Sequence, residues 1–207
     1  LTTPPRHLPQ NRAFTLIELL AVIAIISLLI GIASLAFQNS LQSQNLRATA
    51  RQLAADLDHA SLLARKENRP VDVFFYQYAP GELGGTSSIR AYQFGILDGF
   101  NAEDKPQYRF LVEVKRLPSG MIITTNPTYT TMAGLTPQNP LTQPGSGVPE
   151  SHTFFAYQIR PDGSTTLDRD SHHTLTLLWE KDESPDHLPP DFRTISINPH
   201  TSRAVLY

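Results

Sequence analysis

FTLIELLAVIAIISLLIGIASLAF, residues Phe14–Phe37, decides how the rest of the chain is read. It carries one charge, Glu18. At about 1.5 Å rise per residue, a helix over this run crosses a hydrocarbon core roughly 30 Å thick, so the run predicts a membrane span. An acid in the first turns of such a span costs about 2.5–3.5 kcal/mol on insertion scales, which calls for a counter-charge or an interfacial position.

Before the run stand residues 1–13, LTTPPRHLPQNRA, with three prolines and little apolar content. They read as a disordered leader that is removed rather than as part of the fold. Arg6 and Arg12 precede the run, whereas the first charge after it is Arg47. The asymmetry of basic residues places the N-terminus in the cytoplasm and the bulk of the chain outside. A secretory signal peptide would have an apolar region of about 7–15 residues ending in a small-x-small site, and this run is too long for that.

After Phe37 no breaker interrupts the helical pattern until about Asn68. Leu41, Leu46, Ala50, Leu53, Leu57, Ala60, Leu63 and Ala64 recur at helical spacing, with Arg47, Arg51, Asp58 and Arg65 assigned to the solvent side. Arg69-Pro70 ends the helix, because the residue before a proline is pushed out of the helical region. The span and this amphipathic half, 38–69, therefore form one helix whose apolar stripe needs a sheet to cover it.

From Val71 the period changes to two. Strands are predicted at Val71–Tyr76, Ile89–Leu97, Tyr108–Leu117, Met121–Thr125, Thr153–Ile159, Thr174–Trp179, Phe192–Ile197 and Ala204–Tyr207. Breaks fall at Asp98-Gly99, Pro118-Ser119-Gly120 and Asp162-Gly163. Asn126–Glu150, rich in Pro, Thr and Gly, reads as a long surface excursion of the domain. The expected fold class is α+β, a long N-terminal helix packed on an antiparallel, β-rich extracytoplasmic domain over residues 70–207.

Composition narrows the function. With 207 residues there is room for the span and one modest domain. The formal net charge of −2 argues against general nucleic-acid binding. Cysteine is absent, which excludes disulfides, thiolate metal sites and cysteine nucleophiles. The histidines are scattered, and neither a Gly-x-Ser-x-Gly elbow nor a phosphate-cradling glycine loop occurs, so no catalytic residues, enzyme activity or cofactor is expected. Asp168-Arg169-Asp170-Ser171-His172-His173 has ligand types but no ligand-loop spacing, and it reads as a polar turn rather than a metal site.

Asn11-Arg12-Ala13 followed by Phe14-Thr15-Leu16-Ile17-Glu18-Leu19-Leu20 resembles the signal of type IV pilins and of the pseudopilins of type II secretion. The resemblance implies that a prepilin peptidase cuts between Ala13 and Phe14 and methylates the new Phe14 amine. It also implies that Glu18 meets the Phe14 amine of a neighbouring subunit during assembly with other pilins at the inner membrane. Two departures stand out: Ala13 where the family usually has Gly, and no proline within the span. Farther on, Ala54–Val71, Arg160-Pro161-Asp162-Gly163 and Arg193–Arg203 resemble the minor pseudopilin H and FimT-type branch, and still more the cassette protein D pilin-like group of Verrucomicrobia. That branch commonly has Gly where Ser202 stands.

The resemblance thus implies a minor pseudopilin, a single-pass membrane protein acting as a structural filament subunit. Two alternatives remain. One is a DNA- or surface-binding minor pilin of the FimT type with Arg193 and Arg203 as contacts. The other is a membrane-tethered domain that never assembles.

Overall fold

In a computed structural model of the chain, residues 16–80, 86–135, 141 and 147–207 are described, with only the backbone at 32–39. One helix, α1, runs over Leu16–Glu67. It ends where Arg69-Pro70 required. Asn68 takes a left-handed φ of 49°, its N–H donates to the Arg65 carbonyl, and the Arg69 N–H donates to the Ala64 carbonyl. This double closure satisfies the last carbonyls of the helix before Pro70 stops it.

The chain divides into two compact units, Leu1–Gln42 and Ser43–Tyr207. Among the described residues of the second unit, nine strands form one antiparallel sheet. They are β1 (Val71–Tyr78), β2 (Ser88–Phe100), β3 (Pro106–Phe110), β4 (Lys115–Arg116), β5 (Met121–Ile123), β6 (Thr153–Ile159), β7 (His173–Trp179), β8 (Arg193–Ile197) and β9 (Ala204–Leu206). The order across the sheet is β6-β1-β2-β5-β7-β8-β9, with β3 and β4 also paired to β2.

Of the apolar stripe, Leu41 is 45% exposed and Leu63 partly buried, whereas Leu46, Ala50, Leu53, Leu57, Ala60 and Ala64 are fully buried. They share one core with Val73, Phe75, Phe94, Ile123, Tyr157, Leu177 and Ile195 from the strands. The solvent assignments of Arg47, Arg51, Asp58 and Arg65 hold as well. Hydrophobic burial along this stripe is the main attraction between helix and sheet.

The other face of the sheet has its own smaller core, because alternate residues of a strand point to opposite sides. Phe74, Tyr76, Ala91, Val148 and Phe154 cluster there, with Tyr108 and Phe110 of β3 packed against them. The Phe74 ring meets Tyr108 edge-on at 4.8 Å. His152, buried beside Tyr76, donates from Nδ1 to the Pro149 carbonyl at 2.7 Å and accepts the Leu141 N–H at Nε2.

Three expectations change. Tyr108–Leu117 is not one strand: β3 stops at Phe110 and β4 is only Lys115–Arg116, because the register against β2 slips by two residues between the Gly95–Phe110 and Tyr92–Lys115 pairs. Asp98-Gly99 is not a turn. It is an irregularity inside β2, where the register to β3 shifts between Leu97 and Gly99. The reversal comes at Asn101–Lys105, whose backbone N–H groups at Glu103 and Lys105 donate to the Asn101 side chain. The excursion Asn126–Glu150 is anchored in the core. Met132, in a short 3-10 turn at Thr131–Gly134, is fully buried, and the buried Thr130 hydroxyl accepts the Thr176 N–H.

Among the described residues no helix is long and apolar enough to cross a membrane. The part of Phe14–Phe37 whose side chains are described, residues 16–31, rises about 24 Å, short of the roughly 30 Å of a hydrocarbon core. The remainder of that run lies outside the described side chains.

The second core holds one costly group. Burial pushes the Asp72 carboxyl from its ordinary 3.8 up to about 6, and a hydrogen bond from Gln158 opposes the shift only in part. A carboxyl whose folded value is the higher one binds its proton more readily folded than unfolded, so stability is greatest below the unfolded value. It falls as pH rises from about 4 to about 6, and the loss is complete above that window. Asp72→Asn is therefore expected to raise stability at pH 7 by about 1–3 kcal/mol and to flatten the slope between pH 4 and 6. Unfolding curves of both proteins across that range check this, and parallel pH profiles would refute it.

Candidate assembly site

In the first unit the described part of α1 is apolar on every side. Leu16, Ile17, Leu19, Leu20, Val22 and Ile23 are between 46% and 78% exposed. Consecutive positions are about 100° apart on a helix, so these six point all round the axis. The pattern continues through Ile25, Ile26, Leu28, Leu29 and Ile30. A contiguous apolar surface of this kind exceeds what soluble monomers normally leave in water and marks a surface built to be covered by lipid or by other helices.

Glu18 is the one acid on this surface, in the first turn of α1 and itself exposed. An acid there complements the partial positive charge of a helix N-terminus. One and two turns on, the same side presents Ala21, Val22 and Ile25. Ala13 and Phe14, the residues expected at the processing site, lie outside the described residues.

Elsewhere the structure distributes the expected residues differently from their order in the sequence. Arg193 opens β8, pairs with Asp191 at 3.2 Å and donates to the Ser43 hydroxyl. Arg203 follows the far end of β8, beyond a turn in which the Ser202 N–H donates to the Asn198 carbonyl. Ser202 takes a left-handed φ of 56°, so the turn keeps a glycine-like conformation without glycine. Arg203 and Arg193 thus lie at opposite ends of the strand. Arg203 instead shares a surface depression of about 320 Å³ with Arg169, His172 and His200. Arg160 is engaged by the Ser164 hydroxyl and the Thr165 carbonyl.

Pro161-Asp162-Gly163 is the turn its residues require, with Gly163 at φ 89° and the Asp162 carboxylate accepting the Ser164 N–H and hydroxyl. Those bonds hold the Asp162 carboxyl below its usual range. In the segment 168–173, the Asp168 carboxylate accepts from the Ser171 hydroxyl and the Asp170 N–H, and His173 bonds the Asp168 carbonyl. Among the described residues no three metal-ligating side chains converge.

One polar cluster escaped the sequence reading. The buried Asp56 carboxylate on α1 accepts hydrogen bonds from the Tyr92 hydroxyl and the Lys115 ammonium, both at 2.6 Å, and from Gln52 at 3.0 Å. Burial, reinforced by Asp56, pushes the Tyr92 hydroxyl well above its usual value. Only a carboxylate at an otherwise core-facing position of the stripe hinted at it, between Leu53 and Leu57. The cluster ties helix to sheet.

The prokaryotic N-terminal methylation motif matches residues 8–34, so the chain carries a type IV pilin-like signal. The matched stretch contains both Glu18 and most of the exposed apolar surface. No curated protein and no solved structure matches the chain. The motif points to a structural protein rather than an enzyme.

Proposed function

We propose that the chain is a minor pseudopilin. Prepilin peptidase removes residues 1–13 by cutting after Ala13 and methylates the Phe14 amine. The apolar run Phe14–Phe37 first holds the protein in the inner membrane, N-terminus inward, and then packs among pilin helices in a secretion or pilus-like filament. Glu18 pairs with the Phe14 amine of the neighbouring subunit, which cancels the cost of an acid among apolar side chains. The β-rich unit stands outside the membrane and selects partners.

The observation that carries this reading is the methylation motif lying over an all-round apolar helix with a single acid at its start. Assignment to the pseudopilin H and FimT-type branch draws on the Arg160–Gly163 turn and the glycine-like turn at Ser202.

Intact mass and N-terminal sequencing of the protein from its own membranes, with and without the peptidase, test it. The expected result is a chain beginning at methylated Phe14 only when the peptidase is present. A chain that keeps residues 1–13 in both strains overturns the proposal and leaves a tethered domain.

A further inference from the structure

The segment of sheet formed by β7, β8 and β9 is electrically lopsided. At the end where β7 begins and β8 finishes, Arg169 and Arg203 line the same depression as His172 and His200. Among the described residues no hydrogen bond or ion pair engages the Arg169 or Arg203 guanidinium, and the one carboxylate side chain in the lining is Asp170. Val205 of β9, 41% exposed, supplies an apolar wall.

The opposite end of β7 is acidic. Glu180-Lys181-Asp182-Glu183-Ser184-Pro185-Asp186 follows Trp179 directly. It is held in place rather than loose. Glu180 takes two bonds from Arg90, Glu183 accepts from the Thr124 hydroxyl at 2.8 Å, and the Pro185 carbonyl accepts from Asn126 at 3.0 Å. That anchoring leaves Asp182 and Asp186 exposed, with no bond to either carboxylate among the described residues. The seven residues of β7 separate the two patches by roughly 20 Å at about 3.3 Å per residue.

Unlike charges at opposite ends of one rigid sheet segment favour a head-to-tail contact between copies. A two-fold pair whose axis passes through either patch would set like charges against each other, which costs several kcal/mol, whereas a head-to-tail contact matches them and repeats along an open assembly. We propose that the Arg169–Arg203 depression of one copy receives the Asp182–Asp186 segment of the next. The guanidiniums fork onto the two exposed carboxylates, and Val205 packs beside them. This contact rests on the filament reading above and adds to it a site on the β-rich unit that sets the order and register of neighbouring copies.

The absence of cysteine makes the test direct. Two full-length single-cysteine variants, Val205→Cys and Ser184→Cys, are expressed separately and together, and membranes are treated with a short bismaleimide. Cross-linked dimer is expected in the mixture at about ten times the amount seen with either variant alone. It should fall about tenfold when the Val205→Cys chain also carries Arg169→Glu and Arg203→Glu. It should return when the Ser184→Cys chain carries Asp182→Arg and Asp186→Arg, and raising the salt should weaken it in the unaltered pair.

Cross-linking in either variant alone at the level of the mixture, or none in the mixture, overturns the contact. So does retention of a labelled oligonucleotide that the arginine reversals abolish while the mixture gives no cross-link, which would assign the depression to nucleic acid. Processing at Phe14 is scored on the same membranes. Processed chain without the cross-link overturns the contact alone, and unprocessed chain with the cross-link overturns the filament reading alone.

Discussion

Glu18→Ala is expected to abolish incorporation of the chain into filaments while leaving it in the membrane. The substitution removes the only charge from the described part of the apolar run, so insertion into lipid becomes easier, by at most about 2.5–3.5 kcal/mol, the cost of a charge at the centre of a span. What is lost, on the function proposed above, is the counter-charge for the Phe14 amine of the next subunit. A cation left unpaired among apolar helices carries a desolvation cost of several kcal/mol, enough to reduce the assembled fraction by more than about a hundredfold. The measurement is the ratio of filament-associated to membrane-associated protein after shearing and sedimentation. Glu18→Asp, which keeps the charge on a shorter side chain, should recover part of the assembled fraction. An unchanged ratio for Glu18→Ala would show that the helix is a mere tether.

Removing the carboxylate at position 56 tests the other half of the molecule. Asp56→Ala strips the acceptor from Tyr92, Lys115 and Gln52 at once and leaves the Tyr92 hydroxyl buried without its partner. Lys115, whose side chain is 38% exposed, can turn to water, so the cost stays below that of a fully enclosed pair. A loss of about 2–4 kcal/mol follows. Tyr92→Phe, which leaves Lys115 and Gln52 on the carboxylate, should lose about half as much. Trp179, the single tryptophan, lies partly buried against the same core on β7 and reports unfolding by its fluorescence. A change within experimental scatter for Asp56→Ala would mean that the cluster is ornamental and that apolar packing alone joins helix to sheet.

Local regularities were legible in the sequence wherever a residue's role depends on its near neighbours. The stripe Leu41–Ala64 announces a helix with one buried side, and all its members are buried except Leu41, which is exposed, and Leu63, which is partly buried. The turn at Pro161-Asp162-Gly163 and the stop at Arg69-Pro70 are likewise properties of two to four adjacent residues. The exposed apolar surface around Glu18 needed no structure either, because an unbroken apolar run and a lone acid are written along one stretch.

Tertiary structure decided what depends on residues far apart in the chain. Asp56 meets Tyr92 across 36 positions and Lys115 across 59, and no local period encodes such a meeting. Met132 enters the core from a segment whose composition reads as surface loop, because burial there is set by the space between sheet and helix rather than by its neighbours in sequence. The sheet order places β5 between β2 and β7, which brings the β7–β9 segment onto the same sheet as β1 and β2. Pairing also separates Arg193 from Arg203 and joins Arg203 to Arg169, 34 positions earlier. The sequence by itself determined the elements and the apolar helix, since these follow from backbone geometry and side-chain period. Only the folded sheet decided which charges face one another, since strand pairing is a non-local choice made by the whole core.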